Sequence, residues 1–192
     1  MRPDVEIERF AARHAPSLTA GSWVMQTEHS APDSDRFRAM ELTKTFAPEA
    51  YSSALESWSW LDIATKVPVL ATLFGDVFFQ DAGGYWFLDT IEGSLGKVAG
   101  TRDELQAKLD TPEGQDQYLL GGLAMALDRD GLQLQPEQVY DFKVPPKLGG
   151  TFEPSNITVM DFVVSVNIAG QLHDQIRNVP PGTKIKGIKV DQ

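Results

Sequence analysis

Short apolar runs alternate with polar, glycine-rich breaks along this chain, and the spacing of the breaks predicts most of its elements. After Pro68 the apolar positions come in strand-sized runs: VLATLF at 69–74, then Val77–Gln80, Tyr85–Asp89 and Ser94–Ala99. Asp81-Ala82-Gly83-Gly84 and Glu92-Gly93 separate the last three. Adjacent glycines supply the backbone conformations that tight turns need, so the pattern predicts an antiparallel meander. Helical spacing takes over on either side. Pro48 suits the first turn of a helix running to about Trp60, with Tyr51, Leu55 and Trp58 on one face. T-R-D-E at 101–104 is a capping box for a helix that stops near Asp110. Thr111-Pro112 then starts another, predicted to bury Leu119, Leu120, Leu123, Ala124 and Leu127 and to close at Gly131. Gly121-Gly122 inside that helix costs roughly 2 kcal/mol relative to two alanines, which predicts close packing of a neighbouring backbone.

Residues 136–152 read as an extended connection punctuated by prolines. Thr158 and Asp161 read as a second capping box, opening a helix to about Asn178. Val159, Phe162, Val163 and Val166 line one stripe of it, and Ile168, Leu172 and Ile176 an adjacent one. Pro180-Pro181-Gly182 ends the helix, and KIKGIKV at 184–190 alternates as a basic edge strand. Upstream, residues 4–14 are spaced as a short amphipathic helix, and 15–35 read as loop with a short strand at Trp23–Gln26. Strands and helices grouped in blocks predict an α+β fold, an antiparallel β-meander sheet packed against several helices. Residues 1–57 are read as an N-terminal extension and 58–192 as the main domain, the two forming one compact unit.

Charge changes this picture more than composition does. The 192 residues carry 27 acids and 17 bases, a net charge of −10. Residues 1–60 contribute −3, residues 61–141 contribute −9, and residues 142–192 contribute +2. Such a balance argues against direct nucleic-acid binding, which depends on clustered Lys and Arg. An acidic middle segment is either a solubilising surface or a patch that steers a basic partner into contact. No apolar run approaches the ~18 residues of a membrane span, and the N-terminus lacks an apolar signal region. The absence of cysteine removes disulfides and thiolate chemistry and fits a cytoplasmic location.

Catalytic signals are weak. His173 beside Asp174 resembles a base with its orienting acid, but adjacent helical residues point apart, so His173 reads better as a core-edge histidine. Asp76, Asp81 and Asp89 are spaced too widely for a hard-cation loop. The glycine pairs at 83-84, 121-122 and 149-150 match no phosphate-binding motif. The sequence therefore calls for no metal and no cofactor. What stands out is FGDVFFQDAGGYWFLDTIEG at 74–93, an aromatic ladder edged with acids and free of Lys and Arg. Most of its aromatics belong to the core. Its acids and one tyrosine, Asp76, Asp81, Tyr85, Asp89 and Glu92, with Asp128 and Asp130 further on, are the candidate contacts for a basic partner.

Four phrases in order, FGDVFFQD, GYWFLDTIEG, YDFKVPPKLGG and MDFVVSVNIAGQLHDQI, resemble the C-terminal domain of Tdi-type immunity proteins of type VI secretion systems. The resemblance covers roughly Trp58 to Thr183 and includes no catalytic signature. In some family members this domain follows a GAD-like domain. The first 57 residues are shorter than a complete one and correspond to a reduced or divergent part. The resemblance implies a cytoplasmic immunity protein that neutralises a cognate type VI DNase toxin stoichiometrically, without turnover. It assigns no contacts residue by residue. The rival expectation is an enzyme or small-molecule-binding protein with a carboxylate-lined cleft.

Overall fold

The computed structural model describes residues 42–180, 183 and 187–190. The expected helix at 4–14 and strand at Trp23–Gln26 lie outside them. Five strands, β1 (Thr43–Lys44), β2 (Val67–Thr72), β3 (Val77–Asp81), β4 (Gly84–Asp89) and β5 (Ser94–Ala99), form one antiparallel sheet in chain order. Two more, β6 (Gln138–Phe142) and β7 (Ile157–Asp161), pair with each other. The helices are α1 (Pro48–Leu55), α2 (Arg102–Leu109), α3 (Pro112–Leu119), α4 (Gly121–Arg129) and α5 (Phe162–Ile176). The fold is α+β, an antiparallel meander packed against helices.

Val77, Phe78 and Phe79 of β3 are all buried, and successive strand residues point to opposite faces, so this strand is covered on both sides. Phe78, Tyr85 and Phe87 pack in one cluster with Leu105, Leu119 and Leu127 from α2, α3 and α4. Val77, Phe79 and Leu88 pack in a second with Tyr51, Leu55, Trp58, Phe162 and Val166 from α1, the turn after it and α5. The register that allows this pairs Val77 with Leu88, Phe78 with Phe87 and Phe79 with Trp86. The Phe78 and Phe87 rings meet at 4.7 Å. The pairing of Asp81 with Gly84 closes a two-residue turn. Gly84 has φ +131°, and a Cβ there would stand 2.4 Å from the Ala99 carbonyl oxygen, so only glycine lets β4 leave the turn this close to β5. Strand β6 bridges the two clusters, with Val139 in one and Tyr140 and Phe142 in the other.

Leu42, Tyr51, Ala54 and Leu55 belong to the same clusters as residues beyond 58. Residues 42–57 thus pack as part of the main unit. At the α1–α5 junction the Trp58 indole donates to the Val166 carbonyl at 2.9 Å, and the Ser57 hydroxyl donates to that of Asn167 at 2.7 Å. The close approach depends on Gly170.

The caps at Thr101 and Thr111 form as expected: Thr101 and Glu104 make the reciprocal box, and Thr111 accepts from Gly114 N–H. Four expectations need correction. The helix expected to run from Thr111 to Gly131 is two, broken at Leu120, which sits in left-handed backbone at φ +49°. A left-handed leucine costs ~1–2 kcal/mol, and the break lets two short helices, α3 and α4, both pack on the sheet. Thr158 is in β7 rather than capping a helix. Asp161 is the cap of α5, accepting from Val163 and Val164 N–H, because the residues before it are committed to pairing with β6. Residues 138–142, expected within an extended connection, are strand β6 for the same reason. Within 184–190, the described residues 187–190 form no strand. Lys189 instead exchanges two hydrogen bonds with the Gln175 side-chain amide, at 2.7 and 3.1 Å.

Gly170 gives a clean test of the α1–α5 junction. A Cβ there would lie 2.2 Å from Ser57 Oγ and 2.9 Å from Trp58 Nε1, whereas one at Gly96 meets nothing within 4 Å. Gly170→Ala is expected to cost about 1–3 kcal/mol in urea unfolding, as overpacking does. Gly96→Ala should leave the midpoint within about 0.5 kcal/mol.

Candidate functional site

Asp76, Asp89 and Glu92 gather at the end of the sheet where the β2–β3 and β4–β5 turns meet α5. The β2–β3 turn is organised by Thr72, whose hydroxyl accepts from Phe74 N–H and Asp76 N–H, both at 3.1 Å. With its lone pairs so engaged, that hydroxyl donates to Asp76 Oδ2 at 3.0 Å. Asp76 Oδ1 accepts from the Thr90 N–H and the Thr90 hydroxyl, each at 2.8 Å, which ties the two turns together. Asp89 Oδ1 accepts from Ile91 N–H at 3.0 Å and Glu92 N–H at 2.7 Å, shaping the β4–β5 turn. Helix α5 joins through His173, whose Nε2 lies 2.9 Å from the Thr90 carbonyl oxygen. A carbonyl only accepts, so Nε2 carries the hydrogen. Gly93 lies flat against the imidazole: at φ +69°, a Cβ on it would stand 2.3 Å from His173 Nδ1. Above the turn, Lys147 pairs with Glu92 at 2.6 Å.

Burial sets the proton affinities here. Asp76, 2% exposed, is pushed up to about 8, first by burial and then by the charge of Asp89, against the opposing hydrogen bonds from Thr90 and Thr72. Burial likewise raises Asp89 to about 6, with the Glu92 and Ile91 N–H groups and Lys147 working the other way. His173 is lowered by burial, so it stays neutral. Asp141 on β6 is raised by burial as well, offset by the Phe142 N–H and the Ser165 hydroxyl.

The seven residues singled out from the sequence do not form one surface. Asp76, Tyr85 and Asp89 are buried, the carboxylates in the knot just described and Tyr85 beneath the α2–α4 layer. They are structural in this conformation, because their polar atoms or rings are enclosed by the chain's own turns and helices. Asp81 and Glu92 are partly exposed, but each has a basic neighbour brought by the fold: Lys66 at 3.7 Å from Asp81 and Lys147 beside Glu92. The expectation of acids without bases, read from the local segment, is therefore corrected. Lys66 itself is buried over the Trp86 ring at 4.4 Å, between Asp62 and Asp81. The neighbouring Trp86 indole, followed by the Gly83 N–H and Lys66, holds the Asp81 carboxyl below its ordinary range. Asp128 and Asp130 are exposed at the end of α4.

Three successive helices carry one cluster of open acids. Between residues 101 and 131 stand seven acids, Asp103, Glu104, Asp110, Glu113, Asp116, Asp128 and Asp130, against three bases, Arg102, Lys108 and Arg129. All of the acids except Asp110 are exposed. Helices α2, α3 and α4 pack one after another on the same side of the sheet, so these side chains share one layer. Of the sequence candidates, Asp128 and Asp130 lie in this layer, and the other five lie on the aromatic ladder, where they are locally conspicuous. The capping boxes and N-terminal acids of α2 and α3 were the available signal for the rest of the helical layer. The partners Thr72, Thr90 and Lys147 were missed, being distant in sequence or uncharged.

Among the described residues, no group of three or more His, Asp or Glu is placed to hold a metal ion, and no helix is long and apolar enough to cross a membrane. No family model matches the chain, and no curated protein matches it. Among solved structures it is similar to Atu4351 from Agrobacterium tumefaciens, at 15% identity and a TM-score of 0.48. The match covers 68% of this chain and 66% of that one, so the chain spans just under two thirds of its length.

His173 sets an acid limb on stability. Its folded proton affinity lies below its unfolded one, so its contribution is present above pH ~6.5 and is lost as pH falls through the folded value. The raised carboxyls have the opposite sign, but they are common to wild type and a His173→Gln variant. That variant should be less stable by about 1–3 kcal/mol at pH 7. The difference between the two proteins should shrink between pH 6.5 and 5 in thermal unfolding; a constant difference would contradict the assignment.

Proposed function

We propose that this chain is an immunity protein that neutralises a cognate type VI secretion nuclease by binding it one to one. The observation that carries this reading is the acidic layer of α2, α3 and α4, six exposed acids against three bases. A nuclease holds DNA with a basic surface, and a protein of net charge −10 gains association rate and complementarity against such a surface. The resemblance of the four phrases to Tdi-type immunity domains supplies the partner class. The buried carboxyls would favour the rival reading, an enzyme, since perturbed acids mark many active sites. Here, however, the Asp76 and Asp89 acceptors face the chain's own amides and hydroxyls, an arrangement suited to holding turns.

A nuclease encoded beside this chain is the partner to test. One equivalent of the chain should abolish its DNA cleavage, and the two should co-elute. Reversing Glu113, Asp128 and Asp130, whose side chains are exposed, to Lys is expected to lower the association rate about tenfold or more at low salt and to flatten its salt dependence, with circular dichroism unchanged. Unaltered kinetics would remove the α2–α4 layer from the interface. Full cleavage in the presence of excess wild-type chain would overturn the immunity reading for that pair.

A further inference from the structure

The buried end of the sheet holds two carboxyls without a cation of their own. Asp76 and Asp89 are 2% and 8% exposed, and neither takes part in an ion pair within 4.0 Å among the described residues. Asp76 meets only uncharged donors, Thr72 on one turn and Thr90 on the other. Asp89 takes two backbone N–H groups of its own turn. The charged or titratable groups facing them are few. Glu92 comes from the turn itself, Lys147 from the connection after β6, where Glu92 already occupies it, and His173 from α5. His173 is neutral and spends its Nε2 hydrogen on the Thr90 carbonyl. Thr90 is the hub: its amide and hydroxyl go to Asp76, and its carbonyl to α5.

We propose that Asp76 and Asp89 form a proton-held latch that closes the β4–β5 turn onto the β2–β3 turn and α5. While the pair retains a proton it carries at most one negative charge, which the surrounding amides and hydroxyls can solvate. When the second carboxyl ionises, two buried charges share one end of the sheet with a single engaged lysine. Opening then relieves the repulsion and admits water. The segment released is Thr90 to Gly93, and with it the Glu92–Lys147 pair and the seat of His173. The β3–β4 centre lies under both helical layers and stays closed. The device is local, and its trigger is mild alkalinity.

Amide hydrogen exchange reads the latch directly, because the Thr90, Ile91 and Glu92 N–H groups are those bonded to the two carboxyls. In the wild-type chain, rates divided by the intrinsic exchange rate are expected to rise at these three amides as pH passes from about 6 to about 8.5, while Phe78 and Phe79 stay protected. Opening that releases one proton rises roughly tenfold per pH unit while the closed pair still holds that proton, and levels off above about pH 8. Protection that stays constant or increases at Thr90–Glu92 over this range would overturn the proposal on the wild type alone. Asp89→Asn, which removes one of the two charges and leaves the burial of Asp76, should reduce the rise. A folded Asp89→Asn protein that still opens as the wild type does would equally overturn it.

Discussion

Burial of β3 on both faces is the constraint on which the rest of the structure depends. Val77, Phe78 and Phe79 leave no room for a solvated side, so the meander needs two helical covers. The chain supplies them from different places. The side that receives Phe78 is covered by α2, α3 and α4, which follow the sheet in sequence. The side that receives Val77 and Phe79 is covered by α1 and α5, more than a hundred residues apart along the chain and joined by Trp58, Ser57 and the gap left at Gly170. Hydrophobic burial at roughly 25 cal/mol per Å2 makes such a doubly covered strand the strongest term available to a domain of this size.

That arrangement explains why the acids of the aromatic ladder do not behave as a surface. A strand enclosed on both sides drags its ends inward, and Asp76 and Asp89 stand at ends of β3 and β4. Buried there, they survive by accepting hydrogen bonds that simultaneously shape the turns. A polar group in the interior costs heavily unless it is satisfied, and these are satisfied by Thr72, Thr90 and three backbone amides. The solvent-facing acids stand elsewhere, one cluster of them on the outer sides of α2, α3 and α4. Carboxylates with the same local chemistry are thereby divided into a buried, turn-holding set and an exposed set.

Much of this was legible in the sequence, and particular residues show why. Strand-sized apolar runs at 77–80 and 85–89, with glycines between, encode a hairpin because run length and turn chemistry are local properties. The caps at Thr101 and Thr111 are local for the same reason. Leu120 was not legible, since a left-handed leucine is disfavoured and appears only where packing compels it. Thr158 and Asp161 carried a genuine cap spacing, but pairing with β6, some twenty residues away, took Thr158 into a strand.

By itself, then, the sequence determined the α+β class, the meander and its turns, the main caps and an excess of negative charge in the middle of the chain. Each follows from period, from backbone preference or from counting, and none requires knowing what lies across a contact. Tertiary structure alone decided which carboxylates are hidden and which face water, and which bases neutralise Asp81 and Glu92. Burial and Coulomb attraction act through space: Lys66 and Lys147 reach those acids only after the sheet and the β6 connection have formed. The same acidic side chain at Asp76 and at Asp128 is thus a turn-holding acceptor in one place and an open charge in the other.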